Sequence, residues 1–139
     1  MADANALSPQ PIDNIKVENL LTPEPSMTGK LIRVIGQLDE SNISINSKII
    51  YDIIAKHPTE LYLLFDLTKL EYMNSKAIGY FTDWYGKIME GKGKIVIANA
   101  PPTVMDILQA VGITELVKCY TTVEEAQFQL FKKEPDSQS

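Results

Sequence analysis

The stretch LYLLFDL, residues 61–67, followed by EYMNSKAIGYF, residues 71–81, carries most of the information about the fold. Residues 61–67 are almost continuously apolar, which is typical of a strand buried on both faces of a sheet. Beyond the polar residues 74–76 the apolar positions recur at helical spacing. We therefore expect a buried strand, a short polar connection and a helix, in that order.

The same two patterns alternate along the rest of the chain. Apolar, β-branched runs predict strands, while apolar residues at helical spacing predict helices that end at Pro or Gly. Strands are expected at residues 14–21, 30–38, 61–67, 94–98 and 116–120, and helices at residues 45–57, 75–90, 102–111 and 122–131. Strands that alternate with helices imply βαβ crossovers, so we expect an α/β fold with a largely parallel sheet covered by helices.

Composition excludes several classes of function. The chain has 139 residues and a formal net charge of −5, without a stripe of Lys and Arg, so we expect neither a nucleic-acid surface nor binding to anionic lipid. No apolar run is long enough to span a bilayer, and the first residues lack the pattern of a secretory signal. Cys119 is the only cysteine, which suits a reducing compartment. The expected location is the cytoplasm.

The residue types that an enzyme needs are scarce. His57 is the only histidine, and no sequence pattern links it to Ser75 as a Ser-His-acid arrangement would require. One Cys and one His cannot supply the spacing of a zinc site. Residues 86–92 match part of a phosphate-binding loop, but Gly93 stands where Ser or Thr is needed, and a helix precedes the strand instead of following it. We expect no catalytic residues, no metal, no cofactor and no enzymatic activity.

Ser75 has two interpretations from its position alone. It can be a helix N-cap, because Ser and Asn oxygens accept hydrogen bonds from the free N–H groups of a first helical turn. It can also be a site of phosphorylation, because the same free N–H groups and the positive end of the helix dipole favour a phosphate. Lys76 adds a cation beside it.

Several motifs together resemble the STAS domains of bacterial anti-sigma-factor antagonists. LLFDL (residues 63–67) and YMNSKAIG (72–79) resemble the strand, loop and helix start that carry the serine of these antagonists. VIGQLD (34–39) resembles a second strand of the family, which closes on Gly-x-Leu-Asp. KIVIA (94–98) and VGI (111–113) are a third match.

The resemblance covers residues 12–131 and implies one STAS domain between flexible tails at residues 1–11 and 132–139. The implied fold is a mixed, mostly parallel sheet with helices covering one face and an antiparallel first strand. It also implies a partner-switching function. The unphosphorylated antagonist binds a kinase-type anti-sigma factor. This kinase phosphorylates Ser75, and the phosphorylated antagonist is released. A metal-dependent serine/threonine phosphatase removes the phosphate again.

The resemblance also suggests which side chains meet the partner. Ser75 aligns with the phosphoacceptor, Asp39 aligns with residues that face the kinase, and the helix after Ser75 is the expected docking element. The residues expected to contact the partner are Asp39, Asn74, Ser75, Lys76, Asp83 and Lys87.

The chain departs from the family pattern beside the serine. Asn74 replaces the usual Asp, Lys76 stands where Ser or Thr is common, and Ala77 replaces a frequent Gly. A second interpretation therefore stays open, in which the domain is a static, non-phosphorylated STAS subunit of a signalling scaffold or of a lipid-transport complex.

Overall fold

The computed structural model describes residues 14–132, so the tails expected at residues 1–11 and 132–139 lie outside it apart from Lys132. The described residues form five strands, four α-helices and one short 3-10 helix. In chain order these are β1 (Ile15–Leu20), β2 (Thr28–Leu38), α1 (Ile43–Lys56), β3 (Leu61–Met73), α2 (Ser75–Glu90), β4 (Lys94–Ala98), α3 (Pro102–Ala110), the 3-10 helix (Ile113–Glu115), β5 (Lys118–Tyr120) and α4 (Val123–Phe131).

The five strands form one sheet in the order β1-β2-β3-β4-β5. β1 is antiparallel to β2, whereas β2 to β5 are parallel to one another. α1, α2 and α3 each connect one parallel strand to the next, because a parallel pair needs a crossover rather than a tight turn. The predicted single α/β domain with a mixed, mostly parallel sheet is confirmed.

Apolar side chains on the two faces of the sheet belong to two separate cores, because neighbouring residues of a strand point to opposite faces. Leu63 and Phe65 belong to the larger core, which α1, α2 and α3 cover. Leu64 belongs to the smaller core, which Ala126 and Leu130 of α4 cover. Three helices thus lie on one face as expected, and α4 adds cover on part of the opposite face.

An aromatic cluster positions α2 on the sheet. Phe65 of β3 stacks on Trp84 of α2 with ring centroids 5.8 Å apart, and Phe81 meets Phe65 edge-on at 5.1 Å. All three side chains are buried. Such pairs add to the free energy gained from burying the rings and prefer defined angles, so they fix the rotation of α2 and the direction in which its first residue projects.

β3 is longer than its apolar run predicts. The strand ends at Met73 rather than at Leu67, because β2 continues to pair with it as far as Leu38 opposite Met73. Four of the six added residues are exposed, so the apolar pattern of the sequence does not reveal them as strand. The polar connection to α2 is consequently a single residue, Asn74.

Asp66, the aspartate of the LLFDL motif, joins β2 to β3. Its carboxylate is 5% exposed and accepts hydrogen bonds from Arg33 Nη1 at 2.7 Å and from Thr68 Oγ1 at 2.6 Å. A buried charge is tolerated when it is paired and hydrogen-bonded in this way. Asp66 therefore has a structural role in the pairing of the two central strands.

Asn14 connects the first strand, an irregular part of β2 and α1. β2 shifts its register against β3 around Gly36, whose φ of +79° lies in the left-handed region that favours glycine. The Asn14 side-chain amide donates to the carbonyls of Ile35 and Gln37 at 2.7 and 3.1 Å. Its backbone N–H donates to Asn46 Oδ1 at 3.1 Å, and its Oδ1 accepts from Asn46 Nδ2 at 3.3 Å.

We predict that Asn14→Ala lowers the free energy of unfolding by about 3 kcal/mol, since it removes several side-chain hydrogen bonds at a buried position, each worth about 1 kcal/mol. Urea denaturation measures this loss. Asn19→Ala is the matched control: Asn19 is an exposed β1 residue whose side chain accepts from Lys30 Nζ, and its removal should cost less than about 0.5 kcal/mol. Equal losses in the two variants would contradict the role given to Asn14.

Candidate functional site

The start of α2 is capped by Asn74 and not by Ser75. Asn74 has extended backbone angles, and its Oδ1 accepts a hydrogen bond from the N–H of Ala77 at 3.1 Å. Its backbone N–H donates to the carbonyl of Leu38 at 3.1 Å, which ties the cap to the end of β2. One residue therefore ends β3 pairing and begins the helix, so the capping interpretation of Ser75 is wrong.

Ser75 is the first residue of α2, and its side chain is exposed. Within residues 14–132 no group forms a hydrogen bond with its hydroxyl. It lies at the helix end where backbone N–H groups lack helical acceptors and where the dipole is positive. Lys76 beside it is also exposed. A group attached to the Ser75 oxygen would extend into solvent without displacing any packed side chain.

Asp39 lies in the turn between β2 and α1, residues 39–42. Its Oδ1 accepts from the backbone N–H of Ser41 at 2.9 Å and from Ser41 Oγ at 2.5 Å. These hydrogen bonds lower the pKa of Asp39 below its ordinary value, because they favour the charged carboxylate. Asn42 closes the turn, since its Oδ1 accepts from the Asp39 N–H at 3.0 Å and its Nδ2 donates to the Gln37 carbonyl at 2.7 Å.

Glu40 is a residue of the site that the sequence analysis missed. Its exposed carboxylate accepts a hydrogen bond from Nδ2 of Asn74, so the turn before α1 is joined to the start of α2. The two residues are 34 positions apart in the chain. No short-range pattern relates such residues, and only the parallel pairing of β2 with β3 brings them together.

Asp83 and Lys87 lie further along α2. Asp83 accepts a hydrogen bond from the hydroxyl of Tyr51 in α1, and Lys87 Nζ is 3.9 Å from Asp83 Oδ2. Tyr51 also packs edge-on against Tyr80, with ring centroids 6.3 Å apart. Burial, followed by the hydrogen bond to Asp83, raises the pKa of Tyr51 to about 12. Asp83 thus holds α1 against α2, a contact that the sequence analysis did not anticipate.

The six residues proposed from the sequence therefore fall into two groups. Asp39, Asn74, Ser75 and Lys76 belong to the edge of the sheet where β2 and β3 end, and Glu40 joins them there. Asp83 and Lys87 lie about two and three turns along α2, and Asp83 faces α1. The first group presents a hydroxyl, a cation and two carboxylates on one exposed surface.

Residues 14–132 contain no group of three or more His, Cys, Asp or Glu side chains arranged to hold a metal ion. The helices of this part of the chain are all too short or too polar to cross a membrane. His57 lies at the C-terminal end of α1, and its Nδ1 is 3.3 Å from Thr28 Oγ1.

We predict that Tyr51 makes the stability of the protein fall at high pH. A tyrosine has a pKa of about 10 in an unfolded chain. Because the pKa in the folded protein is about 12, the folded state retains a proton that the unfolded state loses. The stabilisation is present below pH ~10 and is lost as the pH rises toward ~12.

Urea denaturation at several pH values between about 10 and 12 checks this effect. The free energy of unfolding should fall more steeply for the wild type than for Tyr51→Phe, which has no hydroxyl to titrate. Tyr72→Phe, at an exposed side chain of β3, is the matched control and should keep the steep fall of the wild type. Parallel curves for the wild type and Tyr51→Phe would refute the raised pKa of Tyr51.

Three solved structures illustrate the likeness of this fold to known proteins. A putative anti-sigma factor antagonist from Thermotoga maritima is 15% identical, with a TM-score of 0.72 over 85% of this chain and 95% of that one. The Bacillus cell fate determinant SpoIIAA in its phosphorylated form is 21% identical, with a TM-score of 0.62 over 83% and 97%. The murine solute carrier 26 member A9 anion transporter is 12% identical, with a TM-score of 0.65 over 86% of this chain and 22% of the transporter.

At these identities the structural likeness establishes the fold alone, which antagonists and a transporter share. No curated protein matches the sequence. The family assignment comes from the sequence itself, because the model of the STAS domain family matches residues 21–126, from the end of β1 into α4. This match covers most of the chain, and the strand order and the helix that starts at Ser75 agree with it. The chain therefore belongs to the STAS domain family.

Proposed function

We propose that this STAS domain is an anti-sigma-factor antagonist controlled by phosphorylation of Ser75. In the cytoplasm, the unphosphorylated domain binds a kinase-type anti-sigma factor. The bound anti-sigma factor then releases its sigma factor. The kinase transfers a phosphoryl group from ATP to the Ser75 oxygen, and the domain dissociates. A metal-dependent serine/threonine phosphatase removes the group again. The domain acts by binding and needs no catalytic residue of its own.

The observation that carries the proposal is that Asn74, and not Ser75, caps α2. Asn74 supplies the cap of α2, so the exposed Ser75 hydroxyl is not needed for the helix to form. A serine used only for folding would be expected to hydrogen-bond to the first turn. Ser75 instead has the accessibility that a kinase requires of its acceptor. The likeness of fold to SpoIIAA in its phosphorylated form is consistent with this assignment.

Charge explains how phosphorylation would release the partner. A phosphoserine adds about −1.5 to −2 charges at neutral pH. Asp39 and Glu40 already place two carboxylates on the same surface. A bound partner would remove water from this surface and would bring its own ATP phosphates close to it, and like charges that meet across an interface cost several kcal/mol. The complex would weaken without any change of fold.

The remaining proposed contacts extend this surface along α2. Lys87 is half exposed and can pair with an acidic group of the partner. Asp83 is also about half exposed, so a partner that lies along α1 and α2 can reach it although it already bonds to Tyr51.

We predict that the candidate kinase and ATP add one phosphate to the purified domain, at Ser75. Intact-mass spectrometry and peptide mapping measure the number and position of phosphates. Ser75→Ala should take up none, although Ser41 and Ser44 remain exposed on the neighbouring turn and helix. A phosphate on either of those serines, with Ser75 unmodified, would contradict the proposed acceptor.

We further predict that Ser75→Asp weakens binding of the kinase-type anti-sigma factor by about tenfold or more, since it places a charge in a desolvated interface. Ser75→Ala should bind like the wild type but should not be released when ATP is added. Isothermal titration calorimetry with a nucleotide-loaded partner measures both effects. Thr59→Asp, with its charge on the exposed turn before β3, should bind like the wild type. If the wild type and all variants bind the partner equally, before and after ATP is added, the domain is instead a static, non-phosphorylated STAS subunit.

A further inference from the structure

Asn74 makes two hydrogen bonds that require an amide. Its Oδ1 accepts from the Ala77 N–H and caps α2, while its Nδ2 donates to the carboxylate of Glu40. An aspartate at this position, as in the family pattern, could make the first bond but not the second. It would also place a like charge against Glu40. Asn74 and Glu40 are therefore a matched pair, and the departure of this chain from the family pattern has a structural reason.

The hydrogen bond between these two residues fastens one end of the turn at residues 39–42 to α2. The other end of the turn is held differently, because Asn42 Nδ2 donates to the carbonyl of Gln37 and to Asn14 Oδ1. Loss of the Glu40 contact would leave the Asn42 end in place.

We propose that Glu40 senses the charge on residue 75, an inference that rests on the proposed phosphorylation of Ser75. In the unphosphorylated protein the Glu40 carboxylate holds the turn against the start of α2. A phosphate on Ser75 releases Glu40 from Asn74 and loosens the turn. The surface offered to the partner then changes in two places, at the modified serine and at the turn that carries Asp39.

Two physical effects act in the same direction. The phosphate is attached to the residue next to Asn74 and brings three acceptor oxygens, which compete with Glu40 for the Nδ2 donor. It also brings a negative charge that repels the Glu40 carboxylate. Lys76 and the free N–H groups of the first helical turn attract the phosphate toward the helix and keep it near Asn74. Asp39 adds to the repulsion, because its hydrogen bonds with Ser41 keep it ionised.

The test uses protein with phosphoserine incorporated genetically at position 75, compared with the unmodified protein by nuclear magnetic resonance. We expect the side-chain amide resonances of Asn74 to shift, because Nδ2 loses its carboxylate acceptor. We also expect the backbone order parameter of Glu40 to fall below the rigid value of about 0.85. The order parameters of Ser41 and Asn42 should stay unchanged, since the hydrogen bonds of Ser41 to Asp39 and those of Asn42 remain.

Variants of Glu40 separate the charge from the hydrogen bond. In Glu40→Ala the turn should already be mobile before phosphoserine is introduced. Phosphoserine should then lower the order parameter of residue 40 only a little further. In Glu40→Gln the amide can accept the same hydrogen bond from Asn74 but is not repelled. Only the competition for Nδ2 then remains, so the response to phosphoserine should be smaller than in the wild type. Glu90→Gln removes a carboxylate at the far end of α2 and should leave the response intact.

Two results would overturn the inference: an unchanged order parameter for Glu40 after phosphoserine is introduced, or an equal response in Glu40→Gln and in the wild type. Neither depends on a kinase, because the phosphoserine is incorporated during synthesis. Failure of the candidate kinase to modify Ser75 would count against the proposed function only. The two hypotheses therefore fail in different experiments.

Discussion

β2 and β3 pair in parallel from Thr28 opposite Leu61 to Leu38 opposite Met73, and every other strand is added to this pair. The pairing also decides where the two strands end. Because both stop at the same edge of the sheet, the turn that follows β2 and the cap that follows β3 become neighbours. The candidate site is a consequence of this register, since its residues come from the two connections that leave that edge.

The pairing has structural requirements of its own, and side chains outside the site meet them. Arg33 of β2 donates to the buried Asp66 carboxylate of β3, and Asn14 satisfies carbonyls where β2 becomes irregular around Gly36. These contacts give Asp66 and the segment around Gly36 a structural role, although both lie in motifs that at first suggest function. The polar residues of such a motif can belong to the framework as well as to the surface that it displays.

Because Asn74 caps α2, the Ser75 side chain is not needed for the helix to start. The helix begins because Asn74 accepts from its first turn and because Phe81 and Trp84 pack against Phe65 in the sheet. Neither interaction involves the Ser75 side chain, so the charge of that residue can change at little cost to the fold. The same helix end favours a negative group through its free N–H groups and its dipole. A position with these properties suits a reversible covalent change.

Local patterns in the sequence were sufficient for most of the elements. The apolar run of β4 predicted Lys94–Ala98, the bounds that the structure has, and the helix predicted at residues 122–131 begins at Val123, with Thr122 as its cap. Both signals lie within a few consecutive residues, where periodicity and capping act. The sequence also located Ser75 at a helix start, although it left open whether this serine was a helix cap or a site of phosphorylation.

Other features depend on contacts between residues that are far apart in the chain. The extension of β3 to Met73, the hydrogen bond of Glu40 to Asn74 and that of Tyr51 to Asp83 each join segments about 30 residues apart. No local period or motif encodes such pairs, because nothing within either segment identifies the residue that it will contact. By itself the sequence determined the order of the elements and the position of the serine, through short-range periodicity and capping. Only the tertiary structure decided which side chains surround that serine, because the parallel register of β2 and β3 brings the two connections together.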